Sequence, residues 1–163
     1  MKSSSTPCSR GENEASYVGV SIPSTGRLLA VDVGEKRIGL AISDPSQTIA
    51  QPLVTLTRRA GKRFPMESLR PHLEELCPVA IVVGLPLASD GTEDERSESV
   101  RNAGDLLMNK TNLPVTYWDE RMTTARALSA VRELGGRLRG RKGSVDQLAA
   151  TVLLQSFLDS RRK

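Results

Sequence analysis

The run from Arg27 to Val33 reads Arg-Leu-Leu-Ala-Val-Asp-Val and is apolar almost without a break. A strand with one face in water alternates apolar and polar side chains; one that does not alternate is buried on both faces. Such a strand needs cover on two sides, so the rest of the chain must place helices on both faces of a sheet. Val79 to Val83 repeats the pattern and is the strongest strand signal in the sequence.

The remaining elements follow in order. Gly34 opens a turn through Glu35, Lys36 and Arg37, and Ile38 to Ser43 reads as a second strand, antiparallel to the first. Asp44-Pro45 turns into a third strand, Ile49 to Leu56, placed at the edge by Pro52. Pro65 suits the first turn of a helix to Leu76, with Leu69, Leu73 and Leu76 as its apolar stripe. After the fourth strand, Thr92 and Glu95 form a capping-box pattern for a helix to Met108. Val115 to Asp119 is the fifth strand. Thr123 or Thr124 suits the cap of a short helix stopping at Gly135-Gly136. Ser144 and Gln147 mark a last helix, apolar at 145, 148, 149, 152, 153 and 157. Three antiparallel strands followed by right-handed βαβ crossovers give one five-stranded mixed sheet with helices on both faces. That is the connectivity of a ribonuclease H-like α/β fold. Residues 27–163 are expected to form this domain, and residues 1–26, rich in Ser, Gly and small polar residues, a disordered extension.

Composition narrows the chemistry. There is one histidine, His72, and two cysteines, Cys8 and Cys77, which support neither a disulfide framework nor a zinc site and suit a reduced, cytoplasmic setting. Acid–base or metal chemistry therefore falls mainly to carboxylates. No stretch of about 18 apolar residues exists to span a membrane. The formal net charge of +4 is compatible with an anionic partner.

Acids stand out at three element ends. Asp32 sits inside the most apolar strand, where a carboxylate left unpaired costs several kcal/mol; the plainer account is an aspartate bonded to its own turn. Asp146 is placed near the start of the last helix, where the macrodipole favours an anion with or without a function. Asp119 and Glu120 end the fifth strand. Adjacent strand residues face opposite sides, so at most one of them points at Asp32, and periodicity does not choose between them.

An oxygen-only set of acids suits Mg²⁺ or Mn²⁺. Ions held there would activate water and stabilise the leaving oxygen in phosphodiester hydrolysis. Basic residues that would meet the phosphates flank every acid. Lys36 and Arg37 follow Asp32, Arg121 follows Glu120, and Arg139, Arg141 and Lys142 precede Asp146 in a glycine-rich loop. Aromatic residues are only 3% of the chain, so contacts should fall on phosphates and be salt-sensitive and weakly sequence-specific.

Four stretches, taken together, resemble one family. They are Leu29-Ala-Val-Asp-Val-Gly-Glu-Lys-Arg-Ile-Gly-Leu-Ala41; Ile81-Val-Val-Gly-Leu-Pro-Leu87 with Asp90-Gly-Thr-Glu93; Trp118-Asp-Glu-Arg-Met-Thr-Thr124; and Val145-Asp-Gln-Leu-Ala-Ala150 running on to Asp159. The sequence is similar to the YqgF/RuvX family, bacterial ribonuclease H-like proteins regarded as pre-16S rRNA nucleases and related to Holliday junction resolvases. The resemblance implies catalytic, metal-holding acids at Asp32, Glu120 and Asp146, and it is the ground for taking Glu120 over Asp119. It implies an endonuclease acting on structured RNA at the 5′ end of pre-16S rRNA, as a monomer or homodimer. The alternatives are a branched-DNA resolvase and an idle nucleic-acid-binding module. Two departures stand out: Gly84-Leu85-Pro86 occupies the place where many such nucleases carry an acid, and Glu35 replaces a residue that is often small or hydroxylated.

Overall fold

The computed structural model describes residues 21–59, 63–123 and 142–162, the side chains of 142–145 excepted. In chain order the elements are β1 (Leu28–Val33), β2 (Arg37–Ser43), β3 (Ala50–Thr57), α1 (Met66–Leu76), β4 (Ala80–Leu85), α2 (Glu95–Thr111), β5 (Val115–Asp119), a 3₁₀ turn (Glu120–Met122) and α3 (Lys142–Ser160). The sheet runs β3-β2-β1-β4-β5. β1 pairs antiparallel with β2 and parallel with β4, β5 adds in parallel, and β3 closes the antiparallel edge. This is the five-stranded mixed sheet expected from the sequence.

β1 lies at the centre and is covered on both faces, as its lack of alternation requires. Leu29, Val31 and Val33, with Ile81 and Val83, pack against Leu69 of α1 and Val100 and Leu107 of α2. Leu28 and Ala30, with Ala80 and Val82, pack against Ala150, Leu153, Leu154 and Phe157 of α3. Burying a Leu, Val or Phe side chain contributes about 1.5–3 kcal/mol, so these two layers offset the cost of a polar residue in the same strand.

Local chemistry departs from the sequence expectation at three points. α2 begins two residues later than Thr92-x-x-Glu95 suggests: Asp94 is its cap and accepts the Ser97 N–H at 2.9 Å. Thr92 is instead bound to Asp90 through its N–H and hydroxyl, which removes it as a helix cap. α3 is already helical at Lys142, so Ser144 lies within it rather than capping it. Exposed Cys77, at the left-handed C-terminal turn of α1, is disulfide-bonded, which corrects the expectation of unpaired cysteines. The short helix expected after Thr123 and residues 1–20 of the expected extension lie outside the described residues, and among the described residues no helix is long and apolar enough to cross a membrane.

Candidate active site

The carboxyl ends of β1, β4 and β5 lie side by side, the edge at which open α/β sheets bind ligands. Side chains alternate along each strand, so the α3 face carries Leu28, Ala30 and then Asp32 on β1. On β4 it carries Ala80, Val82 and then Gly84, and on β5 Trp118, followed two residues on by Glu120. Asp32 thus ends an apolar row that α3 covers at its other end.

Two glycines make the convergence possible. Gly39 is the cross-strand partner of Asp32, and a Cβ there would overlap the Asp146 carbonyl oxygen. The absent side chain lets the backbone of α3 at Asp146 pass directly over the sheet beside Asp32. On the other flank, a Cβ at Gly84 would lie 3.1 Å from Oε1 of Glu120. Glu120 therefore reaches back over β4 and, with the Leu153 side chain of α3, occupies the space where a side chain of β4 would project.

The neighbouring acids of the Asp-Glu-Arg stretch separate cleanly. Asp119 accepts the Arg121 backbone N–H at 2.9 Å and the Arg121 guanidinium at 2.7 Å, and this holds its carboxyl below the usual range. Glu120 takes no such partner among the described residues. Burial raises its pKa, Asp119 adds to the rise, and Arg96 opposes it. The two acids thus differ in their surroundings: Asp119 is held by Arg121, and Glu120 lies over Gly84.

Asp32 is the most perturbed acid. Desolvation, with the charges of Glu120 and Asp146, pushes its pKa up to about 7 against a pull from Arg96. No backbone N–H of its own turn is among the causes, so the plainer account of this aspartate does not hold.

Asp146 stands on the same face, but its carboxylate is engaged. Arg37 Nε donates to Oδ2 at 2.6 Å in a partly exposed ion pair. Among the described residues, no three His, Cys, Asp or Glu side chains are gathered into a metal-holding group. The donor chemistry nevertheless fits a hard divalent cation: three carboxylates from three elements, two of them desolvated and mutually repelling, and the third already neutralised by a cation. Asp146 has to exchange Arg37 for the ion to complete the set.

The basic residues divide. Lys36 is exposed in the β1–β2 turn. Arg37 sits on Asp146, and Arg121 is tied to Asp119 and to the Ser89 carbonyl at 3.2 Å. Arg139 and Arg141 lie outside the described residues, as does the side chain of Lys142. The sequence reading missed Arg96, the cation that acts on both Asp32 and Glu120. Its signal was a cation in the first turn of α2, where the macrodipole prefers acids.

A family profile described as "RuvX: Holliday junction resolvase" matches residues 26–160. A relative from Lachnospira eligens, named "Putative pre-16S rRNA nuclease", is 38% identical over 139 residues, covering 84% of this chain and 99% of its own. One of the same name from Koribacter versatilis is 42% identical over 136 residues, covering 83% and 88%. Among solved structures, Thermus thermophilus RuvC in complex with a Holliday junction substrate superposes with a TM-score of 0.51 at 17% identity, over 84% of this chain and 96% of that one. The yeast mitochondrial Holliday junction resolvase Ydc2 gives 0.51 at 13% identity, over 85% and 80%. At these identities the structural likeness establishes the fold, which is ribonuclease H-like.

Proposed function

The chain belongs to the RuvX family, described as Holliday junction resolvase, and from that membership we propose that it is a metal-dependent endonuclease. It hydrolyses phosphodiester bonds in structured RNA and trims the 5′ end of pre-16S rRNA during ribosome biogenesis in the cytoplasm. The observation that carries this reading is Glu120 lying over Gly84 near enough to act on the charge of Asp32, with the α3 backbone at Asp146 seated on Gly39, the cross-strand partner of Asp32. The name carried by relatives near 40% identity supports RNA as the substrate.

Asp32, Glu120 and Asp146 are the catalytic acids and would hold Mg²⁺ or Mn²⁺. When bound, these ions supply an activated water and stabilise the leaving oxygen. Gly39 and Gly84 orient the acids by letting α3 and Glu120 close in. Arg37, once released from Asp146, joins Lys36 at the backbone phosphates. Arg139, Arg141 and Lys142 extend that grip from the loop before α3, and Arg121 bounds the site beside Asp119.

The test is cleavage of a pre-16S rRNA fragment and of a four-way DNA junction, each with Mg²⁺ or Mn²⁺, by wild type and Asp146→Asn. The expected result is RNA cleavage that falls more than about 100-fold in the variant, beyond what outer-sphere partners of a metal site usually cost. Undiminished cleavage by the variant removes the assignment. The family description favours a second reading, branched-DNA resolution, which uses the same acids in a dimer to make two symmetric cuts. Preferential cutting of the junction by a dimeric protein selects it.

A further inference from the structure

Arg96 is the second residue of α2, at the helix end where the macrodipole favours anions, and Asp94, Glu95 and Glu98 already supply them. Its guanidinium is exposed and takes no hydrogen bond or ion pair among the described residues. It lines a cavity of about 350 Å³ at the end of β1, a volume in the range of small-ligand sites. Buried Val33 and Val100 form an apolar floor, and Glu35, Arg58, Glu95 and Arg96 stand around it.

The mixed charge of that lining selects its ligand. A bare metal ion meets two guanidiniums, and a free phosphate dianion meets two carboxylates, so neither suits the cavity. Carboxylates accept hydrogen bonds and guanidiniums donate them, so the fitting ligand offers an acceptor anion and a donor hydroxyl together. A nucleotide unit of RNA has both. Its phosphodiester carries one negative charge, and its ribose 2′-OH donates to a carboxylate, as ribose hydroxyls do to the acidic residue of dinucleotide-binding folds. The same unit of DNA lacks the donor and leaves the carboxylates unpaired.

We propose that this cavity is a ribonucleotide subsite. In it Arg96 and Arg58 take a backbone phosphodiester of the strand being cut, and one of the two carboxylates, Glu35 or Glu95, accepts the single hydrogen of the 2′-OH, so that RNA is told from DNA here. The inference rests on the nuclease reading above and specifies its substrate. Val33 in the cavity floor directly follows Asp32 on β1, which sets the subsite at the strand end that carries this acid.

The test is fluorescence anisotropy of labelled single-stranded oligonucleotides of one sequence, as RNA, DNA and 2′-O-methyl RNA, bound to the full chain in EDTA so that binding is read without cleavage. Wild type is expected to bind RNA about tenfold tighter than DNA, the worth of one charge-assisted hydrogen bond. The 2′-O-methyl strand, which has no donor, should bind like DNA. In Glu35→Ala/Glu95→Ala the RNA preference should fall to near one. Arg96→Gln should weaken RNA and DNA alike and lower the slope of log affinity against log salt by about 0.7–1. Arg70→Gln, removing an exposed cation paired with Glu67 on α1, controls for net charge. A 2′-O-methyl strand that binds as well as RNA overturns the proposal without relying on any variant, and so does an Arg96→Gln slope no lower than that of Arg70→Gln. Binding with wild-type salt dependence but no RNA preference removes the subsite alone; no binding to any strand removes the nuclease reading with it.

Discussion

Two aspartates stand at the carboxyl ends of the adjacent antiparallel strands β1 and β2, at opposite ends of that pair, and they live in opposite ways. Asp44, just after β2, accepts the backbone N–H of Thr48 at 2.7 Å and of Ile49 at 2.8 Å, and also the Ser46 hydroxyl. These bonds hold its carboxyl down to about 2, and it is fully satisfied by its own turn. Asp32, at the end of β1, gets nothing from its turn, and burial beside Glu120 and Asp146 drives it up to about 7. The same residue type is structural where the backbone answers it and a candidate site where only other acids do.

The largest test of this contrast is the pH dependence of stability in metal-free protein. Asp32's pKa is raised from 3.8 to about 7 on folding, so the folded state holds a proton that the unfolded chain has lost. Its contribution is fully present below about 4 and is lost as pH rises through about 7, a change on the order of 4 kcal/mol. Asp44 has the opposite sign, with stability present above about 4 and lost as pH falls through about 2. In EDTA, the melting temperature of wild type should therefore fall between pH 5 and 8. Asp32→Asn should flatten that slope and melt higher at pH 8, whereas Asp44→Asn should melt lower throughout with the slope intact. Parallel curves for wild type and Asp32→Asn would falsify the contrast.

The next effect concerns how closely α3 approaches the site. A methyl at Gly39 overlaps the Asp146 carbonyl oxygen, and that neighbour is backbone, which has no rotamer to swing aside. Gly39→Ala should cost about 1–3 kcal/mol of stability, as overpacking does, read as a lower denaturant midpoint. It should also lower cleavage, because the shift moves Asp146 away from Asp32. A Gly39→Ala protein with wild-type stability and activity would mean that α3 does not press on β2 in solution.

Much of this was legible in the sequence, and the failures share a cause. The strands declared themselves through runs of Leu, Val, Ile and Ala whose edges fall where charge or Gly begins, so observed and expected bounds differ by a residue or two. Caps were less legible because several residues compete for one role. Thr92-x-x-Glu95 and Asp94-x-x-Ser97 are both plausible boxes, and the choice fell to Asp90, which binds Thr92 first. At the site, Asp32 was visible as an acid in an apolar run and Asp146 as an acid beside an apolar stripe. The place of Glu120 over Gly84 was not legible from strand alternation, because β5 ends at Asp119 and the turn follows. It depends on Gly84, a residue of another strand, leaving room. Arg96 escaped because the first turn of α2 reads as acidic, and its purpose shows only once β1 and β5 bring their acids to it.

That same pair of neighbours provides the smallest and sharpest test. Asp119 and Arg121 form an ion pair at 2.7 Å, with side-chain exposures of 24% and 40%. Such an exposed pair is worth about 0–1 kcal/mol. Asp119→Asn should therefore shift the denaturant midpoint barely and leave cleavage within about threefold, the change that 0.6–0.7 kcal/mol represents. It should also remove the charge that helps raise Glu120, bringing the Glu120 pKa down. Glu120→Gln, one residue away and equally conservative, should cost cleavage the same large factor as Asp146→Asn while the Asp119–Arg121 pair persists. If the two substitutions exchange these outcomes, the carboxylate over Gly84 is a bystander and the reacting acid is the one that Arg121 holds.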